Sequence, residues 1–316
     1  MKRLNTHILI VMVGLFVLGC SPYKNIPVVN TMDDLTYPFE VKKIKIRDDV
    51  EMAYMEQGSG SQTIIFIHGL GSYGPAWKKN VEMLSKQYRC IAVDLPGYGK
   101  SSKGNYEGSM AFFAEVLRDF IDALSLDKVT LVGHSMGGQI SIVTSLFYPE
   151  KIEKLVLIAP AGFETFDEGE KDWFRSILTA RAVQVTPPMQ IEINFAYNFY
   201  DMPDDAQYMI KDRIAMRSAK DFEGYCYIIP QCVRGMVDQP VFEELSKITQ
   251  PTLIIFGDSD NLIPNRFLNG GRTETIAKAG HEQIKDSKLV MVPKAGHFVM
   301  YEKANVVNQE IATFLQ

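Results

Sequence analysis

Short apolar runs alternate along the chain with longer stretches whose apolar residues recur at helical spacing. Segments 41–46 and 50–56 alternate apolar and polar side chains on either side of a charged turn, which is typical of a half-solvated hairpin. Because each buried run is followed by a crossover, we predict an α/β fold with a mostly parallel central sheet and helices on both faces. Apolar runs predict buried strands at 63–67, 90–93, 129–132, 155–158, 253–256 and 289–292, and helical spacing predicts helices at 76–85, 110–124, 139–147 and 304–314.

The regular alternation lapses between residues 162 and 248, where helix-like stretches follow one another without a clear strand between them. We predict that this segment is a helical cap inserted into a core formed by residues 41–161 and 249–316. The insertion is rich in aromatic residues, which are expected either to line an apolar pocket over the strand ends or to form the insertion's own core.

The first twenty residues have the layout of an export signal. Lys2 and Arg3 precede an uncharged apolar run at 8–18 that is too short to span a bilayer as a helix. The run ends in Val17-Leu18-Gly19-Cys20, which resembles a bacterial lipobox and implies removal of residues 1–19 and acylation of Cys20. A plain secretory signal with an incidental cysteine is the alternative.

Residues 20–40 contain three prolines and little apolar periodicity, which predicts a tether between the lipid and the folded core. The protein is therefore expected to be exported and held at a membrane by its N-terminal lipid. Ser21 after the cysteine permits sorting to the outer membrane, by analogy with enteric lipoproteins.

Composition excludes several classes of function. With 33 Lys and Arg against 38 Asp and Glu, the net charge is −5, so a basic surface for nucleic acid is not expected. None of the four cysteines forms a Cys-x-x-Cys pair that would suggest zinc or redox chemistry. We expect no metal and no cofactor. A disulfide between Cys226 and Cys232 stays open at this stage.

A glycine-rich segment imitates a nucleotide-binding motif. Residues 69–74 match G-x-G-x-x-G, and Asp94 follows near the distance of a ribose-binding acid. That fingerprint belongs on the first strand of a sheet, whereas here a hairpin precedes it. A dinucleotide-dependent oxidoreductase is therefore disfavoured. The P-loop-like Gly99-Lys100-Ser101 lacks the earlier glycine that the P-loop requires.

The motif that best indicates chemistry is Gly133-His134-Ser135-Met136-Gly137. It lies between a predicted strand and a predicted helix, the setting in which a strained turn exposes a serine hydroxyl above the sheet edge. Ser135 is therefore the candidate nucleophile, and a surface serine in a glycine-rich loop is the alternative.

A serine nucleophile needs a base and a carboxylate that orients the base. His297 follows the last predicted strand at the carboxyl edge, so it is favoured over His281, which precedes that strand. The strand at 253–256 leads into Asp258 and Asp260; we favour Asp260 as the acid, and expect Asp258 to cap local backbone amides.

The developing oxyanion needs preorganised backbone donors. The N–H of Met136 directly follows the nucleophile, and the N–H of Leu70 lies in the glycine-rich loop after the third strand. We expect these two groups to form the oxyanion hole.

Several segments together resemble the α/β-hydrolase superfamily over residues 41–316. The resemblance implies a catalytic triad of Ser135, Asp260 and His297. At the nucleophile position this chain has a serine, whereas the haloalkane dehalogenase and epoxide hydrolase branches have an aspartate. The matching segments are Phe66-Ile67-His68-Gly69-Leu70-Gly71, Asp94-Leu95-Pro96-Gly97-Tyr98-Gly99-Lys100-Ser101, Gly133-His134-Ser135-Met136-Gly137-Gly138, Gly257-Asp258-Ser259-Asp260 and Ala295-Gly296-His297.

The elbow string Gly-His-Ser-Met-Gly-Gly is similar to those of monoacylglycerol lipases and of carbon–carbon bond hydrolases. We therefore expect a serine hydrolase acting on small-molecule or lipid carboxylic esters with an apolar acyl group. One alternative is an enzyme of the same fold that hydrolyses carbon–carbon bonds. The other is a lipoprotein that binds ligands and has no catalytic activity.

Overall fold

A computed structural model of the chain describes Tyr23 and residues 26–316. The predicted export signal and Cys20 lie outside the described residues. None of the helices in the described part of the chain is long and apolar enough to cross a lipid bilayer.

One eight-stranded sheet forms the centre of the molecule. Its strands are β1 (Val41–Lys45), β2 (Glu51–Gln57), β3 (Thr63–Ile67), β4 (Arg89–Val93), β5 (Val129–His134), β6 (Ile152–Ile158), β7 (Thr252–Gly257) and β8 (Ser287–Val292). Their spatial order is β1-β2-β4-β3-β5-β6-β7-β8. β2 pairs antiparallel with β1 and with β4, and the other neighbours are parallel. The predicted α/β fold class is confirmed.

Eleven α-helices surround this sheet in the described residues. They are α1 (Lys78–Leu84), α2 (Met110–Ala123), α3 (Met136–Phe147), α4 (Glu168–Ile177), α5 (Ala180–Val185), α6 (Pro188–Ala196), α7 (Gln207–Ala215), α8 (Phe222–Asp238), α9 (Thr273–Gln283), α10 (Val299–Glu302) and α11 (Ala304–Leu315). Apolar residues of α2 and α3 pack on one face of the sheet, and those of α1 and α11 pack on the other. Helices α4 to α8 lie in sequence between β6 and β7, and we refer to this inserted segment as the cap.

The chain before β1 is docked against the body of the protein. Val29 and Met32 are buried, and their backbone N–H groups donate to the Ser218 hydroxyl and to the Asp221 carboxylate, each at 3.0 Å. Val29, Met32 and Leu35, which are three residues apart in sequence, all pack in the hydrophobic core. From residue 26 onward the structure therefore differs from the predicted tether.

We expect Met32→Ala to lower the free energy of unfolding by about 2–4 kcal/mol, because it removes a fully buried side chain and leaves a cavity. Urea denaturation of the purified protein measures this change. Val28→Ala, four positions earlier at a side chain that is 84% exposed, is the control and should shift stability by less than about 0.5 kcal/mol. Equal effects of the two changes would contradict the docking of this segment.

Cys226 and Cys232 are free thiols, so the disulfide left open by the sequence is absent. Both lie on α8, where a spacing of six positions places them about 9 Å apart along the helix axis, beyond the reach of a disulfide. The Cys232 sulfur instead accepts a hydrogen bond from the Tyr98 hydroxyl at 3.2 Å, and burial raises the pKa of Cys232 to about 12.

Candidate active site

Ser135 occupies a sharp turn between β5 and α3. Its backbone angles are φ 54° and ψ −118°, a conformation that a residue with a side chain adopts only under strain of about 1–3 kcal/mol. Hydrogen bonds hold the turn in place: its N–H donates to the Ile158 carbonyl at 3.0 Å, and its carbonyl accepts from the N–H groups of Gly138 and Ala161. The Ser135 side chain is partly exposed at the carboxyl edge of the sheet.

Two glycines allow this turn to pack closely against the loop after β3. A Cβ atom at Gly137 would lie 2.2 Å from the carbonyl oxygen of Ile67, which is backbone and cannot give way. A Cβ at Gly69 would lie 3.0 Å from the Cβ of Ser135. The loop that starts at Gly69 is therefore held directly beside the serine.

The buried pair His297 and Asp260 lies in the loops that follow β8 and β7. His297 Nδ1 and Asp260 Oδ2 are 2.7 Å apart, and the two residues are 3% and 1% exposed. The other carboxylate oxygen of Asp260 accepts the N–H groups of Leu262 and Ile263, at 2.7 and 3.1 Å. These donors fix the orientation of the carboxyl group, so Asp260 can hold the His297 proton on Nδ1 and leave Nε2 as the basic nitrogen.

The two competing candidates lie elsewhere. Asp258 is exposed, and its carboxylate accepts from the Lys294 N–H and from the Ser259 hydroxyl, which is the local capping role expected of it. His281 lies on α9, and its Nδ1 is 2.7 Å from the Ser287 hydroxyl. Since Ser287 begins β8 and His297 follows its end, His281 lies at the opposite edge of the sheet.

His134 connects the serine turn to the His297 loop. Its Nε2 is 3.0 Å from the backbone carbonyl of His297, so that nitrogen carries the proton and donates it, and the two ring centroids are 4.7 Å apart. Burial, reinforced by the neighbouring His297 ring, lowers the pKa of His134 well below its usual range. A neutral His134 therefore fixes the position of His297 without adding a charge beside it.

Two backbone N–H groups next to Ser135 remain available to a ligand. Within the described residues, the amides of Leu70 and Met136 donate to no protein acceptor.

His68 fixes the shape of the loop that contains Leu70. Its Nε2 accepts a hydrogen bond from the Leu95 N–H at 3.1 Å. The proton is therefore on Nδ1, which donates to the Gly69 carbonyl at 2.9 Å. Burial lowers the pKa of His68, which preserves this neutral tautomer.

The model of the alpha/beta hydrolase fold family matches residues 62–304. The chain belongs to this family. The matched region contains β3, the serine turn, the whole cap and the loops that carry the aspartate and the histidine.

Three proteins that are similar to this chain are named for different functions. A 2-hydroxy-6-oxononadienedioate/2-hydroxy-6-oxononatrienedioate hydrolase 1 from Pseudomonas putida is 28% identical and covers 87% of this chain and 96% of its own length. The dihydrolipoyllysine-residue acetyltransferase component of an acetoin cleaving system, also from Pseudomonas putida, is 28% identical over 82% of this chain, which spans 65% of that protein. The crystal structure of a membrane phospholipase A, a bacterial virulence factor, has a TM-score of 0.72 at 27% identity, covering 87% of this chain and 85% of that one.

Asp94, which lies where a ribose-binding acid would lie in a dinucleotide-binding motif, has a structural role in this fold. Asp94 is buried, and its carboxylate accepts from the Gly74 N–H at 2.7 Å, from the Lys100 N–H at 2.8 Å and from the Tyr37 hydroxyl at 2.5 Å. Through these three hydrogen bonds, Asp94 holds the loops after β3 and β4 in place. In the described part of the chain, no group of three His, Cys, Asp or Glu side chains is placed to hold a metal ion.

Glu164, a buried carboxylate that the sequence did not single out, organises the loop after Asp260. It accepts the Asn265 N–H, at 2.8 Å to one oxygen and 3.0 Å to the other, and the Asn269 side-chain amide at 2.8 Å. Burial raises its pKa. In sequence Glu164 is an isolated acid just inside the cap boundary, and only the folded chain brings it to this loop.

We expect Glu164→Gln to lower kcat/KM by about tenfold, because a small displacement of the loop moves Asp260 and, through it, His297. Steady-state kinetics with a soluble ester measure the loss. Glu168→Gln, at a side chain that is 75% exposed on α4, is the control and should leave kcat/KM within about twofold. If the two variants behave alike, Glu164 has no positioning role.

Arg213 is the second residue that sequence reasoning missed. Its side chain is buried in the cap at 8% exposure and stacks on Tyr225, with 4.9 Å from the guanidinium carbon to the ring centroid. The Tyr225 hydroxyl donates to the Gly71 carbonyl in the Leu70 loop at 3.3 Å. Among the described residues the guanidinium has no carboxylate partner. Its Nη2 donates to the Val183 carbonyl at 3.4 Å, and its Nη1 has no hydrogen-bond partner.

Proposed function

We propose that the protein is a serine hydrolase that cleaves carboxylic esters with an apolar acyl group through an acyl-enzyme on Ser135. The observation that carries the proposal is the strained Ser135 turn, joined through His134 to the loop of the buried His297–Asp260 pair. Membership of the alpha/beta hydrolase family supports hydrolysis as the reaction class.

In the proposed mechanism, the Ser135 hydroxyl attacks the ester carbonyl carbon while Nε2 of His297 accepts its proton. Asp260 keeps the other imidazole proton on Nδ1 and stabilises the imidazolium. The negative charge that develops on the carbonyl oxygen is met by the N–H groups of Leu70 and Met136. His297 then returns the proton to the departing alcohol, and a water molecule repeats the same steps to release the acid.

The apolar side chains of the cap are the support for an apolar acyl group. The Phe298 ring, next to His297 in sequence, lies 5.4 Å from the Phe199 ring of the cap. A cavity of about 200 Å³ lies between α5, α6 and α7. Most of its lining is apolar: Leu178, Ala182, Val183, Ile191 and Phe195.

A series of aryl esters of increasing acyl length tests the substrate class. Each buried methylene contributes about 0.8 kcal/mol, so kcat/KM should rise about fourfold per methylene until the pocket is full. Absence of ester turnover in the wild-type protein would contradict the proposal.

Carbon–carbon bond hydrolysis is a second candidate, and Arg213 is the observation that favours it. A buried guanidinium without a carboxylate partner is suited to bind a substrate carboxylate. The similar Pseudomonas putida hydrolase is named for dicarboxylic substrates.

Arg213→Met separates the two functions. If acidic diketones are the substrates, this change should raise their KM by at least about tenfold. If neutral esters are the substrates, kcat/KM for them should stay within about threefold. Turnover of a vinylogous diketone acid together with no turnover of esters would establish the second function.

We also propose that residues 1–19 are removed and that Cys20 is acylated, so that the mature protein is exported and held at a membrane. The support is the lipobox-like Val17-Leu18-Gly19-Cys20 after a short apolar run. Mass spectrometry of the N-terminal peptide should find an acylated Cys20. A peptide that begins elsewhere, or that carries an unmodified Cys20 thiol, would contradict this proposal.

A further inference from the structure

The cap helix α6 is apolar on two opposite faces. Ile191 is buried on the inner face, where it forms one apolar cluster with Tyr23 and Ile210. On the outer face, Met189 and Ile193 are 69% and 51% exposed, and Tyr197, the C-cap residue four positions further on, is 39% exposed. A surface helix normally presents polar residues to water, whereas this outer face is apolar and is covered by none of the described residues.

The sequence around α6 is almost free of charge. Between residues 182 and 200 the only charged side chain is Glu192, and Tyr200 adds a further exposed ring at 53%. The protein as a whole has a net charge of −5, so electrostatic attraction to anionic lipid is not what this surface offers. Aliphatic and tyrosine side chains are instead suited to the boundary between acyl chains and headgroups.

The N-terminal end of the described chain lies on the same helix. The Tyr23 hydroxyl donates to the Gln207 side chain at 2.6 Å, and the Tyr23 ring packs with Ile191 of α6. Cys20 precedes Tyr23 by three residues, which reach about 10 Å at full extension. An α-helix with its side chains is also about 10 Å wide. A membrane-held N-terminus therefore keeps α6 next to the bilayer.

We propose that Met189, Ile193 and Tyr197 form a membrane-docking surface that lays the cap on a lipid bilayer. The inference goes beyond the proposed hydrolysis, and one of its premises is the proposed membrane attachment of the N-terminus. It places the cap and the Ser135 site on the membrane side of the molecule, so that lipid esters are drawn from the bilayer.

Depth-dependent quenching tests the contact without requiring activity. The full chain is reconstituted in vesicles of phosphatidylethanolamine and phosphatidylglycerol, with a fluorophore on Ile193→Cys or, as control, on Phe147→Cys, a 56% exposed position on α3. The native thiols Cys90, Cys226 and Cys232 are buried, and the unsubstituted chain gives the labelling background. We expect brominated lipids to quench the fluorophore at 193 at least about fivefold more than the one at 147. Equal quenching would overturn the proposal.

A pair of double variants gives an independent readout. Met189→Asp with Ile193→Asp should lower hydrolysis of a long-chain ester embedded in vesicles by about tenfold and leave a water-soluble ester unchanged. The matched control, Phe147→Asp with Val306→Asp, also replaces two exposed apolar side chains and should change neither rate.

Identical behaviour of the two double variants on vesicles would overturn the docking surface. A shift from dimer to monomer in sedimentation, caused by Met189→Asp with Ile193→Asp and without lipid quenching at 193, would show instead that a second copy of the chain covers this face. If no ester is hydrolysed at all, the proposed function fails while the quenching result still decides the docking surface.

Discussion

Ser135→Ala is expected to lower kcat for ester hydrolysis by roughly 10⁵-fold, because the hydroxyl that forms the acyl-enzyme is removed. His297→Ala should cost a similar factor, and the double variant should be little worse than either single one, since the two groups act as a unit. Burst kinetics with an aryl ester measure the effect. These kinetics distinguish the acylation of the enzyme from the release of the acid.

Ser145→Ala is the matched control for this prediction. Among the described residues, its hydroxyl donates a hydrogen bond only to the Ser141 carbonyl, one turn back on the same helix, α3. It should retain activity within about twofold. A Ser135→Ala protein that keeps more than about 1% of wild-type kcat would show that another group is the nucleophile.

Asp260→Asn is expected to reduce kcat by about 10⁴-fold, the loss typical of replacing the carboxylate that holds a triad imidazole. An amide in this place can satisfy the Leu262 and Ile263 N–H groups through its oxygen, so the loop keeps its shape. Its NH₂ group then faces His297 Nδ1, which favours the tautomer with the proton on Nε2. That tautomer cannot accept the Ser135 proton.

Asp258→Asn tests the choice between the two acids of this loop. Asp258 is exposed and caps Lys294, and an asparagine oxygen can accept the same N–H. The change should leave kcat within about twofold. Similar losses for the two asparagine variants would contradict the assignment of distinct roles to the two aspartates.

The strands are readily predicted because β3, β5 and β7 are buried over their whole length and therefore appear as mostly apolar runs. Helix boundaries were less accurate. Helix α3 begins at Met136, but the sequence predicted a start at 139 because two glycines, which form helices poorly, occupy its first turn. Helix α9 was missed because its buried residues are small: Thr273, Ala277 and Gly280.

The residues of the candidate site also differ in how well local sequence patterns predict them. Ser135 and His297 follow strand ends, and a parallel sheet brings strand ends to one edge, so local patterns were sufficient to propose them. Glu164 contacts the loop after Asp260, and Arg213 stacks on Tyr225 in the cap. Both contacts depend on the course of segments that the sequence does not encode locally. The segment before β1 resembles a tether in sequence because its buried apolar residues, Val29, Met32 and Leu35, are too few to show a clear periodicity.

Mass spectrometry of the protein after reaction with a fluorophosphonate probe reports the reactive side chain itself. We expect one covalent adduct on the peptide that contains Ser135, none in Ser135→Ala, and a strongly slowed reaction in His297→Ala. No adduct on the wild-type protein, or an adduct on another residue that persists in Ser135→Ala, would contradict the serine-hydrolase mechanism.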